Sequence, residues 1–236
     1  MAIALAGTTS KGASATVVAS FVPTMASTTA GHVCLLHVVS AVASTVSISA
    51  GWTEELELDG GASSIEVYRR VLTGGDAAPT VTFSVAESRY GYIMTAWSGV
   101  DNTTPIDIKG SNTGSSPASG NCIAPSVTTT VANTHLVCGF TCDSSGTWTP
   151  PSGMSEEEEQ TGASNFTLEV ASVAVAGIGA TGTKTAVNSN TNIEWATSSI
   201  ALNPEAAGGR IMSSMVNSGG LAGSGGIAGV GGGLAG

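Results

Sequence analysis

The sequence predicts an all-β protein: an antiparallel β-sandwich of jelly-roll type, built from two sequence-similar halves and followed by an irregular glycine-rich arm. Three observations carry this. Short runs rich in Val, Ile, Thr and aromatic residues recur with small turn residues between them, and no run of comparable length shows a 3.6-residue stripe. The same order of runs appears twice along the 236 residues. Only 10% of residues are charged, against a usual ~25%, which excludes a coiled coil and a charged disordered chain.

The strands are taken in chain order. Ala15 to Val22, Val33 to Val42, Ser64 to Leu72, Thr80 to Val85 and Tyr90 to Trp97 are the first five runs. Side chains of a strand alternate between its faces. In Ile65-Glu66-Val67-Tyr68-Arg69-Arg70-Val71 that alternation puts Ile65, Val67 and Val71 on a dry face and Glu66, Tyr68 and Arg70 on a wet one. Asp59-Gly60-Gly61 and Gly74-Gly75-Asp76 supply residues that tolerate the positive φ of hairpin turns.

The second half repeats the first about 102 residues later. Gly51-Trp52-Thr53-Glu54-Glu55-Leu56-Glu57, then Gly61-Ala62-Ser63-Ser64 and a strand, is matched by Gly153-Met154-Ser155-Glu156-Glu157-Glu158-Glu159, then Gly162-Ala163-Ser164-Asn165 and the strand Phe166 to Val170. Upstream, His32 to Leu36 matches His135 to Cys138; downstream, Thr80 to Val85 and Tyr90 to Trp97 match Thr183 to Val187 and Trp195 to Ile200. Two architectures fit: two tandem small sandwiches, or one sandwich over 1–203 to whose two sheets each copy (about 1–110 and 111–203) contributes half. No Pro/Ser linker clearly divides the copies, which favours the second. A sandwich must also hide its edges, so Ala2 to Ala6 is expected to pair with Ser199 to Leu202 as in a jelly roll.

From Pro204 onward the composition changes, with 12 of the 32 glycines lying beyond it. A helix there would lose about 1 kcal/mol per glycine relative to alanine. Residues 204–236 therefore read as an arm, either freely flexible or ordered against another subunit by burying Leu221, Ile227, Val230 and Leu234, its candidate assembly anchor.

Seventeen carboxylates against seven basic residues give a net charge of −10 and no basic patch, so nucleic acid is not an expected partner. No apolar run is long enough for a membrane span, and Met1 to Gly7 lacks the features of a signal peptide, so an unexported chain is expected. Cys34, Cys122, Cys138 and Cys142 read as buried free thiols from a reducing compartment.

Chemistry has three candidate sources. The acidic clusters Glu54, Glu55, Glu57, Asp59 and Glu156 to Glu159 are suited in principle to acid–base catalysis or to calcium. On an edge strand they read first as a charged guard against sheet addition. His32, Cys34 and His37, with His135, Cys138 and Cys142, suggest a metal, but alternation splits His37 from His32 and Cys34, so no metal or other cofactor is expected. Of the four tryptophans, Trp97 and Trp195 sit in apolar strands, whereas Trp52 and Trp148 lie in predicted loops and, with Asp101, are the candidate recognition residues. There is no G-x-S-x-G, P-loop lysine or H-E-x-x-H motif, so no enzyme is expected.

Several of these segments carry a family resemblance. Gly51-Trp52-Thr53, Tyr68-Arg69-Arg70-Val71, Gly75-Asp76 before Ala78 to Phe83, and Ala96 to Asp101 leading to Pro105-Ile106-Asp107 resemble a β-sandwich module of tailed-bacteriophage structural proteins. Ala124 to Thr130, Thr149 to Met154 and Gly179 to Thr183 do so too. The resemblance spans about residues 1–203 and implies a virion component made in the host cytoplasm: a minor tail or tail-fibre protein that assembles with other virion proteins and as a homo-oligomer, and attaches to a host surface glycan or protein. Capsid decoration or a head fibre is its close variant. A stand-alone carbohydrate-binding module is the alternative from a different class, and it requires Trp52 and Trp148 to be exposed and coplanar.

Overall fold

The computed structural model describes residues 1–40, 45–59, 61, 63–116, 118–161 and 166–206. Among them there are nineteen strands and no helix. The first nine are β1 (Ala4–Leu5), β2 (Ser10–Ser14), β3 (Val18–Phe21), β4 (Val33–Ser40), β5 (Val46–Ile48), β6 (Thr53–Asp59), β7 (Ser64–Val71), β8 (Val81–Glu87) and β9 (Tyr90–Ser98). The remainder are β10 (Ile106–Ser116), β11 (Asn121–Ala124), β12 (Thr128–Thr129), β13 (Thr134–Cys142), β14 (Trp148–Thr149), β15 (Ser155–Gln160), β16 (Thr167–Val175), β17 (Gly179–Ala180), β18 (Lys184–Asn188) and β19 (Ile193–Leu202).

Among the described residues every strand pairing is antiparallel, and the strands make two large sheets, two three-stranded ones and one two-stranded one. One large sheet runs β1-β9-β4-β7-β6, with β2 also on β9; the other runs β10-β19-β13-β16-β15. The small sheets are β3-β8-β5 and β11-β18-β14, and β12 pairs with β17. Among the described residues, strands before residue 99 pair only with one another and strands after 105 pair only with one another, so neither sheet is shared between the copies. Nor does the first strand close on the last: Ala4 and Leu5 pair with Ser98 and Trp97 of β9, not with β19. Among the same residues a single bridge, Val100 to Pro204, crosses the two groups.

Three apolar cores explain how these sheets stack. Cys34, Leu36 and Val38 of β4 face Val46, Val81 and Phe83 of the first small sheet. Leu136, Cys138, Phe140 and Cys142 of β13 face Cys122, Ala124 and Ala186 of the second. The opposite faces of β4 and its neighbours, carrying Val33, Leu35, Ile65, Val67, Ile93 and Trp97, meet Val137, Leu168, Val170, Ala196, Ile200 and Leu202 of the other large sheet. The order of layers is therefore small, large, large, small. The central strands β4 and β13 are covered on both faces, which is why their sequences are nearly continuous apolar runs.

The same layering corrects the expectation of a wet face on β7. Ile65 and Val67 do face the central core, but Glu66 and Tyr68 on the other side are also buried, because the small sheet lies over them. Tyr68 satisfies its hydroxyl by donating to the Val46 carbonyl at 3.0 Å. Only at Arg70 does that face reach water, and there the guanidinium pairs with Asp76 at 2.5 Å. Although burial opposes it, Asp76 is held below its ordinary carboxylate range by the Thr73 and Gly74 amides and by Arg70. Gly74 and Gly75 in that turn both have positive φ, as the turn requires.

Candidate functional site

Both acidic clusters fall on outer edges, β6 on one large sheet and β15 on the other. Each edge carries a bulge, between Glu54 and Leu56 in β6 and between Glu156 and Glu158 in β15. A bulge turns the extra side chain out of the regular alternation; in β6 that residue is Glu55, which reaches the opposite half, and in β15 it is Glu157, which accepts from Ser172 of its own sheet, beside the regularly paired Glu158. Glu55 takes Arg69 of its own sheet at 2.7 Å and Lys109 of β10 at 2.9 Å. Glu158 takes Lys11 of β2 at 2.8 Å and the Thr9 hydroxyl at 2.5 Å. Lys11 also donates to the Glu159 carbonyl at 2.7 Å. Each acidic edge thus clamps a lysine from the other half across the seam of the two large sheets. Although burial opposes it, these donors hold Glu158 below its ordinary range.

The remaining carboxylates diverge. Glu54, Glu57, Asp59 and Glu156 are exposed, and Glu159 accepts the Trp148 amide at 3.0 Å. Among the described residues no three His, Cys, Asp or Glu side chains are grouped as metal ligands. Buried below the edges lie Glu66 and Glu169, at matching positions of β7 and β16. Desolvation, followed by the charges of the edge glutamates, raises both carboxyls: Glu66 well above its ordinary value and Glu169 up to about 8. Neither Glu169 oxygen has a hydrogen-bond partner.

The histidines and cysteines separate as strand alternation requires. Cys34 lies in the first half's own core, while His37 on the other face is wholly buried against Gly139 of β13. Neither ring nitrogen of His37 has a partner, and burial pushes its pKa down to about 3, so the imidazole is neutral. His32 pairs with the Ser27 hydroxyl at 2.9 Å. The four thiols are free and buried, and burial raises all four: Cys138 to about 12 and Cys142 to about 11, with Cys34 and Cys122 shifted the same way.

One chain of groups escapes sequence reading because strand pairing alone assembles it. Ser172 donates to Glu157 at 2.5 Å, and His135 Nε2 lies 2.8 Å from the same hydroxyl. Since the single hydroxyl proton goes to the carboxylate, Nε2 must be the donor to Ser172. In a serine nucleophile the imidazole takes the hydroxyl proton and the acid orients the imidazole; here the serine stands in the middle and its proton is already committed. Trp97 packs against His135 with the rings tilted at 44° and centroids 4.9 Å apart, so the chain ties the β15 bulge to the central core.

The candidate recognition residues are not brought together. Trp148 is 6% exposed and packs in the second core beside Phe140, with ring centroids 6.4 Å apart. Trp52 is half-buried against the first core. Both indole N–H groups are buried without partners. The pair of exposed, coplanar platforms required of a carbohydrate-binding module is therefore absent. Trp97 and Trp195 are core residues. The proposed anchor residues Leu221, Ile227, Val230 and Leu234 lie outside the described residues.

Asp101 occupies a different setting, on the link between the halves. Its carboxylate accepts the Thr103 and Thr104 amides at 2.7 and 3.1 Å, which holds it below its ordinary range and ionised. It lines a groove of about 620 Å³ at the seam, between the chain start and the segment after β19. This volume lies within the roughly 300–1,000 Å³ typical of sites that take a small ligand. A second concavity that Asp101 lines is smaller, about 230 Å³. No family model, curated protein or solved structure matches the chain.

Proposed function

We propose that the protein is a structural component of a tailed-phage virion, a tail or tail-fibre protein that works by holding position among its neighbours and presenting loops to a host surface. One observation supports this above the others. Both acidic clusters, the most conspicuous chemistry in the sequence, either clamp one half of the body to the other or are spread along its outer edges. A glycosidase would need two carboxylates about 5–9 Å apart in a cleft. Back-to-back sheets, clamped at both margins, suit a stiff spacer that bears load between partners. On this reading the partners are other virion proteins and further copies of the chain, the arm beyond 206 supplies anchoring, and the place of action is the particle.

The test is to label the protein and image assembled particles. Density at the tail or its fibres is the expected result. Label on the shell would replace the tail reading with capsid decoration or a head fibre, and particles carrying no label would overturn the proposal.

A further inference from the structure

Beyond β19 the chain is laced to the link between the halves. Val100 and Pro204 are bridge partners. Asp101 N donates to the Asn203 carbonyl at 3.0 Å and Glu205 N to the Gly99 carbonyl at 2.8 Å. Side chains of such an antiparallel pair alternate between its faces. Val100 takes the inner face and joins the central core. Asp101, Asn203 and Glu205 share the outer one, and all three line the seam groove. Residues directly opposite, as Asp101 and Asn203 are, hold their Cβ atoms about 5 Å apart, and a diagonal neighbour such as Glu205 stands roughly 7–8 Å away. Gly99 lets the other wall approach. A Cβ there would stand 2.6 Å from the Ala2 carbonyl oxygen, so its absence allows residues 1–3 to pass.

The groups collected in this way lack partners. Neither Asp101 nor Glu205 has an ion-pair partner among the described residues, and no described Lys or Arg lines the groove. The Asn203 amide donates to the Thr104 carbonyl at 2.7 Å, which fixes its orientation and leaves Oδ1 buried without a donor. Beside these acceptors the surface turns apolar. Met1 and Val131 face the groove, 69% and 39% exposed. Ala2 and Asn133 also line an adjoining pocket of about 180 Å³, whose other walls include Ile3, Ala174, Val175 and Ala176. An apolar cavity of about 150 Å³ accepts a benzene ring.

A bare metal ion would answer the carboxylates and leave the apolar walls wet. A hydrocarbon would fill the pocket and leave Asp101, Glu205 and Asn203 Oδ1 unmatched. An ammonium group joined to one ring answers both, because it brings three donors and no acceptor. We propose that the seam groove and the pocket beside it form one binding site for a small arylalkyl ammonium ion. Its nitrogen donates to Asp101, Glu205 and Asn203 Oδ1, and its ring lies against Ile3, Ala174 and Val175. The site is built within a single chain and does not depend on the virion reading.

The test is calorimetric titration of the full chain, near neutral pH, with phenylbutylammonium, with the neutral phenylbutanol and with Ca²⁺. The expected result is saturable binding of the ammonium, about tenfold or more tighter than the alcohol, the scale of hydrogen bonds to a charged group. Asp101→Asn keeps an acceptor for the turn amides and Glu205→Gln keeps the side chain's shape. Each should weaken the ammonium about fivefold, the scale of an ion pair open to water, and leave the alcohol unchanged. Ala174 is exposed, so Ala174→Leu should fold normally and, by narrowing the pocket, weaken both phenyl ligands alike. Absence of saturable binding overturns the proposal, as does equal affinity for ammonium and alcohol. Ammonium affinity unchanged in both carboxylate variants overturns it too. Binding of Ca²⁺ with none of the ammonium would mark a bare-cation site and also overturns it.

Discussion

At the scale of single residues, the molecule carries two kinds of buried titratable group that pull its stability in opposite directions with pH. His37 has a folded pKa of about 3 against an ordinary 6.5, caused by burial. The unfolded chain takes up a proton there that the folded chain refuses, so stability falls as the pH drops from about 6.5 toward 3. Glu169 is raised from 4.5 to about 8 by burial and then by Glu156 and Glu159. The folded chain keeps a proton that the unfolded chain gives up, so its contribution is fully present below about 4.5 and is lost as the pH rises toward 8. Glu66 acts in the same sense. The melting temperature should therefore pass through a maximum between about pH 4.5 and 6.5. Glu169→Gln should flatten the alkaline limb and His37→Leu the acid limb, measured by thermal melts from about pH 3 to 9. An unchanged alkaline slope in Glu169→Gln would contradict this account.

At the scale of elements, the strands were readable because alternation and turn chemistry are local. Ser64–Val71 and Tyr90–Ser98 fall within a residue of the runs that predict them, and Val33–Ser40 starts where its run starts, the last two residues of that run lying outside the described residues. Which faces are covered was less readable, because coverage depends on what packs from elsewhere. Glu66 looks like a surface residue of a half-buried strand until the small sheet is laid over it. Glu55 and Glu157 look like further edge carboxylates until the bulges turn them. Gly139 shows the same dependence in reverse: a glycine within an apolar strand has no local reason to be there. Its reason lies on the facing sheet and the neighbouring strand, where an added Cβ would stand 2.7 Å from the His37 ring and 2.8 Å from the Ser198 hydroxyl. Both neighbours are buried and cannot easily give way. Gly139→Ala should therefore destabilise the protein by about 1–3 kcal/mol, the usual cost of overpacking a core, read as a shift in denaturant midpoint. A neutral result would mean that the two large sheets separate readily.

At the scale of the whole molecule, the question is whether two halves that share no sheet behave as one body. The central core is built from both, with Leu35, Ile65, Val67 and Trp97 on one side and Val137, Leu168, Val170 and Ile200 on the other. Splitting the halves would expose these side chains to water at about 25 cal/mol per Å² of apolar surface. The Lys109 and Lys11 clamps close the margins but contribute little, since both lysines are nearly half exposed. The body should unfold in one cooperative transition, with calorimetric and van't Hoff enthalpies equal. Two resolved transitions would show that the halves are independent.

The sequence by itself determined the all-β class, the positions of such strands as β4, β7 and β9, the turn glycines and the acidic edges, since these follow from side-chain period, backbone freedom and charge within a few residues of one another; it did not mark β2 or β10. Only the tertiary structure decided that the copies keep their strands to themselves and join face to face. It alone decided that Trp148 lies inside and that Ser172 stands between His135 and Glu157. Those outcomes depend on which distant surfaces meet, and a pattern of period two records that a face is apolar without recording what covers it.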